Sequence, residues 1–377
     1  MKMKYRLMAP GPTPIPEHVL TEMANPIRHH RTPGFEEVIK EVEEGLKWLY
    51  QTKNDVIMLA SSGTGAMEAA IVNTCKPGES VLVVNAGKFG ERFGKIAKAY
   101  KMSVDMIDVE WGKAVSPSII KEKLATREYR AVCVQASETS TAVEHPIKEI
   151  SEIVRKYDQT VLIVDGITAL GVINLPTDEW GIDLLICGSQ KALMLPPGLA
   201  TLSVSEKAWK LIENNDGPRF YFNLKAERKS LHQNTTAWTP SVSLIMGLRQ
   251  VLKDMREEGL ENMFKRHAVM AESIREAAKA IGLKLYAPDA PATSVTSVCT
   301  PDAIDSGKIV KALRNEYNMT IANGQDQIKG KIFRIGHLGY YDMLDMVSVW
   351  AAVEKALFDN GHKFELGKGV AEIIKRL

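Results

Sequence analysis

The chain has 377 residues, 45% of them hydrophobic and 25% charged, a globular composition with length for two or three domains. Its 48 basic and 46 acidic side chains leave a formal charge of +2, so nothing marks a nucleic-acid or membrane-binding surface and the expected ligand is small. No run approaches the ~18 apolar residues of a membrane span, no secretory leader is apparent, and Cys75, Cys133, Cys187 and Cys299 lack paired spacing and read as reduced core thiols. A cytoplasmic protein is the expectation.

From Asp55 to about Ser205, short β-rich apolar runs alternate with helical patterns. The runs are VIMLA, VLVVNAG, SVDMIDV, AVCVQA, VLIVDG, DLLICG and LATLSVS, and they predict a mostly parallel, doubly wound α/β sheet of seven strands. Ligand chemistry in such sheets gathers in the loops at the carboxyl ends of strands. After VIMLA, the segment SSGTGAMEAAIVNTC opens a helix, and the amides of Thr64, Gly65 and Ala66 are expected to point out of its N-terminus as an anion site. The Thr64 hydroxyl adds a donor. It is neither a P-loop nor a dinucleotide fingerprint, and an ordinary turn with an N-cap reads the same way.

After VLVVNAG comes Phe89, an aromatic outside any periodic core stripe that could stack on a heteroaromatic ring or simply pack. Beyond AVCV, the hydroxyl of Thr139, with Ser140 and Thr141, could bond a ring substituent. VLIVDG then places Asp165 directly after four apolar residues, where an unpaired carboxylate is costly to desolvate. A pyridinium nitrogen, an arginine or a helix terminus could each supply the cation. Finally, DLLICGSQKALMLPPG delivers Lys191 to a strand's carboxyl end, where partial burial would equip it for Schiff-base chemistry with an aldehyde. Past Pro240 the pattern becomes two helices separated near Gly259, and from about Leu283 a smaller α+β region follows. An anion site, an aromatic, a hydroxyl, a carboxylate and a lysine at strand ends carry more weight together than singly.

These residues resemble the class V family of fold-type-I pyridoxal-phosphate enzymes, and within it the serine, alanine and glyoxylate aminotransferases. The resemblance rests on Ala9-Pro10-Gly11-Pro12, Ser62-Gly63-Thr64-Gly65-Ala66, Asp165-Gly166, Gly188-Ser189-Gln190-Lys191-Ala192-Leu193 and Arg334-Ile335-Gly336-His337-Leu338-Gly339. It implies an N-terminal arm at 1–20, a large cofactor-binding domain at 21–262 and a small C-terminal domain at 263–377. It also implies pyridoxal 5'-phosphate held covalently by Lys191, with Asp165 on the ring nitrogen, Phe89 on the ring face and Thr139 on the 3-oxygen. Thr64, Gly65, Ala66 and Gln190 are similar to the family's phosphate ligands, and Arg334 to its substrate-carboxylate arginine. A homodimer with shared sites is implied, Thr239 being the closest match to the phosphate contact made across the subunits and Thr236 a competitor for that place. Arg31 matches a residue that reaches the partner's substrate pocket in plant relatives, with His30 where those have tyrosine. Phe89 stands where animal relatives have tryptophan, and Ala142 where many have glycine. The implied reaction is ping-pong transfer from serine or alanine to glyoxylate or pyruvate. Aspartate or an aminophosphonate as donor, a lyase or desulfurase, and a binding subunit without turnover are the alternatives.

Overall fold

In the computed structural model, which describes residues 3–377, the seven apolar runs become the seven strands of one sheet. They are β1 (Val56–Leu59), β2 (Ser80–Asn85), β3 (Ser103–Asp108), β4 (Ala131–Gln135), β5 (Val161–Asp165), β6 (Leu184–Gly188) and β7 (Ala200–Val204). Their order is β1-β7-β6-β5-β4-β2-β3, parallel throughout except β7, which runs antiparallel to both neighbours. Strands β4 to β7 are buried at every residue, which explains continuous Val, Ile and Leu runs where a one-sided sheet would alternate. Only β3 alternates, Ser-Val-Asp-Met-Ile-Asp, and it is the half-buried edge.

Helix α1 (Pro33–Tyr50) begins with proline at its first turn and buries Phe35, Val38, Ile39, Val42, Leu46 and Leu49, a stripe at three- and four-residue spacing. At about 1.5–3 kcal/mol for each fully buried large side chain, that stripe rather than helix propensity holds α1 in place. Helix α2 (Gly63–Thr74), buried nearly all round, packs on β6 and β7, and α3 (Lys88–Ala99) packs on β2. Helices α4 (Val242–Glu258) and α5 (Leu260–Ala280) meet at Gly259, whose φ of 81° lies in the left-handed region open to glycine.

Helix α5 joins two cores. Its Met263 belongs to the larger one, while Met270 and Ile274 pack with Phe333, Ile335 and Trp350 in a smaller one. An antiparallel sheet of β8 (Val295–Cys299), β9 (Ala322–Asn323) and β10 (Ile332–Gly336), ordered β8-β10-β9, contributes Phe333 and Ile335. Arg6–Leu7 pairs in parallel with Met319–Thr320, and the Gly336 amide donates to the Met8 carbonyl at 2.9 Å, which fastens the N-terminal arm to the smaller sheet. Ala142 has a φ of 60°, a conformation that costs an L-residue about 1 kcal/mol. That is the physical reason glycine suits this position, and Ala142 packs against Ala292 and Val295. No helix among the described residues is long and apolar enough to cross a membrane.

Candidate active site

The sheet is parallel where the candidate residues leave it, so β1, β2, β4, β5 and β6 present their carboxyl ends along one edge. Lys191 lies three residues beyond β6 and is 9% exposed, with its Nζ donating to the Pro10 carbonyl at 2.6 Å. Burial lowers its pKa to about 8, the charges of Arg334 and Arg92 act in the same direction, and Asp165 opposes them. The lysine's own carbonyl accepts from Thr13 Oγ1 at 2.9 Å. Gly11, at φ 125°, crosses directly over the amine, and a Cβ there would run into Nζ. The arm therefore closes one wall of the site.

Asp165 ends β5 and is buried. Its Oδ1 accepts from the Ile167 amide at 2.9 Å. Burial still pushes its pKa up to about 7, with Glu138 adding to the rise and that hydrogen bond, Arg92 and Lys191 opposing it. No basic side chain among the described residues lies within 4.0 Å of it. A deeply buried carboxyl with one amide donor and no close cation is a group that a protonated ring nitrogen would satisfy.

Between these two and the smaller sheet sits Thr139. Its Oγ1 is 3.0 Å from Thr168 Oγ1, and Thr168 in turn donates to the Ser137 carbonyl at 3.2 Å. The Thr139 carbonyl accepts from Arg334 Nη1 at 2.8 Å. Arg334, in β10, also donates from Nε and Nη2 to the Asn323 carbonyl at 3.1 and 2.8 Å. Three of its five N–H donors are thus engaged, which leaves one on each terminal nitrogen, the pair that grips a carboxylate bidentately. Burial lowers its pKa to about 10, so it stays charged at neutral pH.

Glu138 is fully buried and holds α3 by its first turn. Oε2 accepts from the Phe89 and Gly90 amides at 3.0 and 3.1 Å, and Oε1 accepts from the Ser140 amide and hydroxyl at 3.1 and 2.5 Å. Burial raises its pKa against those four bonds. An acidic cap at this helix start complements the dipole and fixes the backbone that carries Phe89.

At the α2 start, the structure corrects one expectation. Ser62 is the N-cap, and its carbonyl already accepts from the Gly65 and Ala66 amides at 2.9 and 3.4 Å. The helix begins earlier than the sequence pattern suggests, so the amides left for an anion belong to Gly63 and Thr64. Gly65 is instead needed for packing, since a Cβ there would strike Ser61 Oγ and approach Phe222 to 2.8 Å. Thr64 Oγ1 accepts from Arg92 Nη1 at 3.0 Å. Close by, Gln190 Oε1 is buried without a hydrogen-bond partner, an open acceptor or a flipped amide beside the Gly188 backbone. The unpaired Asp165 carboxyl, the Gln190 amide and the α2 terminus fit a ring nitrogen at one end of a ligand and a phosphate at the other.

A family model for class-V aminotransferases matches residues 7–335. The chain belongs to the class-V aminotransferases. It is similar to a protein of Anabaena cylindrica named a soluble hydrogenase 42 kDa subunit, 41% identical over 98% of each chain. It is also similar to the serine–glyoxylate aminotransferase of Methylorubrum extorquens, 36% identical over 98% of this chain and 94% of that one. Among solved structures, the ureidoglycine–glyoxylate aminotransferase of Bacillus subtilis superposes with a TM-score of 0.95 at 29% identity, covering 100% of this chain and 99% of that one. The fold is that of the fold-type-I aminotransferases.

Two residues of this class-V aminotransferase do not join the others. Arg31 is exposed, its Nη1 donating to Thr235 Oγ1 at 2.9 Å, and exposed Thr239 lines a recess with Met58, Leu59 and Ala60. Neither is hydrogen-bonded to Lys191, Asp165 or Arg334. The structure does bring their two segments together on one surface.

Four residues escaped the sequence reading: Arg92, Glu138, Thr168 and Pro10. Arg92 is one helical turn past Phe89, and Glu138 is the lone acid among hydroxyls before Thr139, so both left a local signal. Pro10 was read only as part of the Ala9-Pro10-Gly11-Pro12 motif, and its main-chain contact with Lys191, 181 positions away, left no signal.

Proposed function

We propose that this class-V aminotransferase transfers an amino group from serine or alanine to glyoxylate or pyruvate, in ping-pong fashion, using pyridoxal phosphate bound through Lys191. The observation that carries the reading is that Lys191, Asp165 and Arg334 are all buried and near enough that the charges of the other two bear on the lysine. When bound, the cofactor supplies an electron-poor ring that accepts the electron pair left at the substrate α-carbon.

Lys191 would hold the cofactor covalently at rest and, as a free amine, would take the proton from the substrate α-carbon. Its lowered pKa of about 8 keeps a usable fraction of free amine at neutral pH. Arg334 orients the substrate by its carboxylate, while Asp165 holds the proton of the ring nitrogen. Phe89 would cover the ring face and Thr139 would bond the ring oxygen, with Thr168 holding the Thr139 hydroxyl. The Gly63 and Thr64 amides at the α2 start, with Gln190, would hold the phosphate end, and Gly65 and Ala66 continue the turn behind them. Thr239 and Arg31 serve the site of a second copy in a homodimer, consistent with their exposure and shared surface.

Lys88, at the rim beside Phe89, bonds Glu91 at 2.6 Å and Asp326 at 2.7 Å, so it is not free for a second substrate carboxylate. That favours serine or alanine over aspartate. The Anabaena relative's name speaks of a hydrogenase subunit. The free fork of Arg334, which has a use only if a substrate binds, favours turnover here. A panel of serine, alanine, aspartate and 2-aminoethylphosphonate, each with glyoxylate and pyruvate, tests the assignment by product formation. Serine or alanine should lead; aspartate or aminophosphonate ahead by tenfold or more would move it to those donors.

A further inference from the structure

A phosphate monoester carries about −1.5 to −2 charges near neutral pH. The predicted ligands for that end, Thr64, Gly65, Ala66, Gln190 and Thr239, are all neutral. The α2 N-terminus adds only about half a positive charge. Lys191 is committed to covalent attachment and Arg334 lies on the far side, in the smaller sheet beyond Thr139. By this count the site lacks a cation.

Arg92 stands where one is needed. It lies on α3, one turn past Phe89, and its Nη1 reaches Thr64 Oγ1 at 3.0 Å, at the second residue of α2. Among the described residues no carboxylate lies within 4.0 Å of it, although its neighbours Glu91 and Lys95 are paired with each other. Among the described residues Thr64 Oγ1 is its one hydrogen-bond partner, which leaves four of its five N–H donors without one. The guanidinium carbon sits 4.8 Å from the centre of the Phe89 ring, over its face, which holds the side chain in place by a cation–π contact. The turn that carries both residues is itself anchored by Glu138 through the Phe89 and Gly90 amides.

We propose that Arg92 is the cationic phosphate-binding residue of this site, recognising the phosphate monoester end of the cofactor together with the N-terminus of α2. The inference rests on pyridoxal phosphate being the cofactor. One turn of α3 then serves both ends of the ligand: Phe89 takes the ring and Arg92 the phosphate. Its charge also acts on Lys191, where it disfavours the protonated amine, so a phosphate neutralising Arg92 would return some basicity to the lysine.

Binding to apoprotein of pyridoxal phosphate and of pyridoxal, which lacks the phosphate, separates a phosphate contact from a structural role. For Arg92→Gln, the dissociation constant for pyridoxal phosphate should rise about 10- to 100-fold, the range of a lost charge-assisted hydrogen bond. Pyridoxal should bind as to the wild type, and inorganic phosphate should compete more weakly with pyridoxal phosphate. Arg92→Lys, which keeps the charge and the fold but not the fork, should fall between. Equal weakening of both ligands in either variant, or no weakening of pyridoxal phosphate in Arg92→Lys and Arg92→Gln alike, overturns the proposal. Wild-type protein that binds neither ligand would instead sink the cofactor reading on which it stands.

Discussion

Asp165→Asn should stabilise the cofactor-free protein and cripple the enzyme. The folded-state pKa of Asp165 is raised from the ordinary 3.8 to about 7, chiefly by burial. As pH rises, the unfolded chain loses this proton first, so between pH 3.8 and 7 the folded state binds the extra proton and stability falls with pH; above 7 the loss is constant. The shift is roughly three units, and at ~1.4 kcal/mol per unit it amounts to up to ~4 kcal/mol. Asparagine keeps the shape and an acceptor for the Ile167 amide but never ionises. Urea unfolding of the apoproteins at pH 8 should therefore show the variant ahead by up to ~4 kcal/mol, with about two-fifths of that gap left at pH 5. Catalysis should move the opposite way. If pairing with the ring nitrogen returns the carboxyl to its ordinary range, the same ~4 kcal/mol is lost from the charge-stabilised step, about a thousandfold in the rate of α-proton removal. Wild-type apoprotein at least as stable as the variant at pH 8, or a single-turnover rate within tenfold of wild type, would refute the reasoning.

Three further outcomes follow from the same geometry. Arg334→Lys should lower kcat/KM for every amino-acid donor by about 10- to 100-fold, since an ammonium cannot reproduce the free pair of N–H groups, while cofactor affinity holds; steady-state kinetics and a cofactor titration check both. Capture of pyridoxal phosphate by the apoprotein needs the unprotonated Lys191 amine. Its rate, followed by absorbance, should rise about tenfold per pH unit up to pH 8 and then flatten, whereas an inflection near 10.5 would contradict the effect of burial. Glu138→Gln should destabilise the protein by about 1–3 kcal/mol in urea, because an amide nitrogen would face donors that now meet a carboxylate.

The large sheet was legible because each central strand is buried on both faces and so must be apolar at every position. Gly259 marked the break between α4 and α5 because its left-handed φ suits little else. Lys191 and Asp165 stood out for a related reason: a charged residue at the end of such a run is expensive and calls for an explanation. The hydroxyl-rich segment around Thr139 is buried, with Ser137–Glu138 and Val143–Glu144 paired as a short hairpin, which composition alone does not reveal. Pro10 over Lys191 and the carbonyls that aim Arg334 come from distant parts of the chain. Main-chain contacts of that kind impose no residue type and leave no pattern to read. The free amides at the α2 start were misplaced because helix starts shift by a residue or two without changing the composition.

The central claim is that Lys191 carries the cofactor. Borohydride reduction of the protein loaded with pyridoxal phosphate, followed by peptide mass mapping, tests it most directly. One pyridoxyl-phosphate group should appear on the peptide containing Lys191, and Lys191→Ala, still folded, should acquire none. A label on another lysine, or undiminished labelling of the variant, would contradict the account.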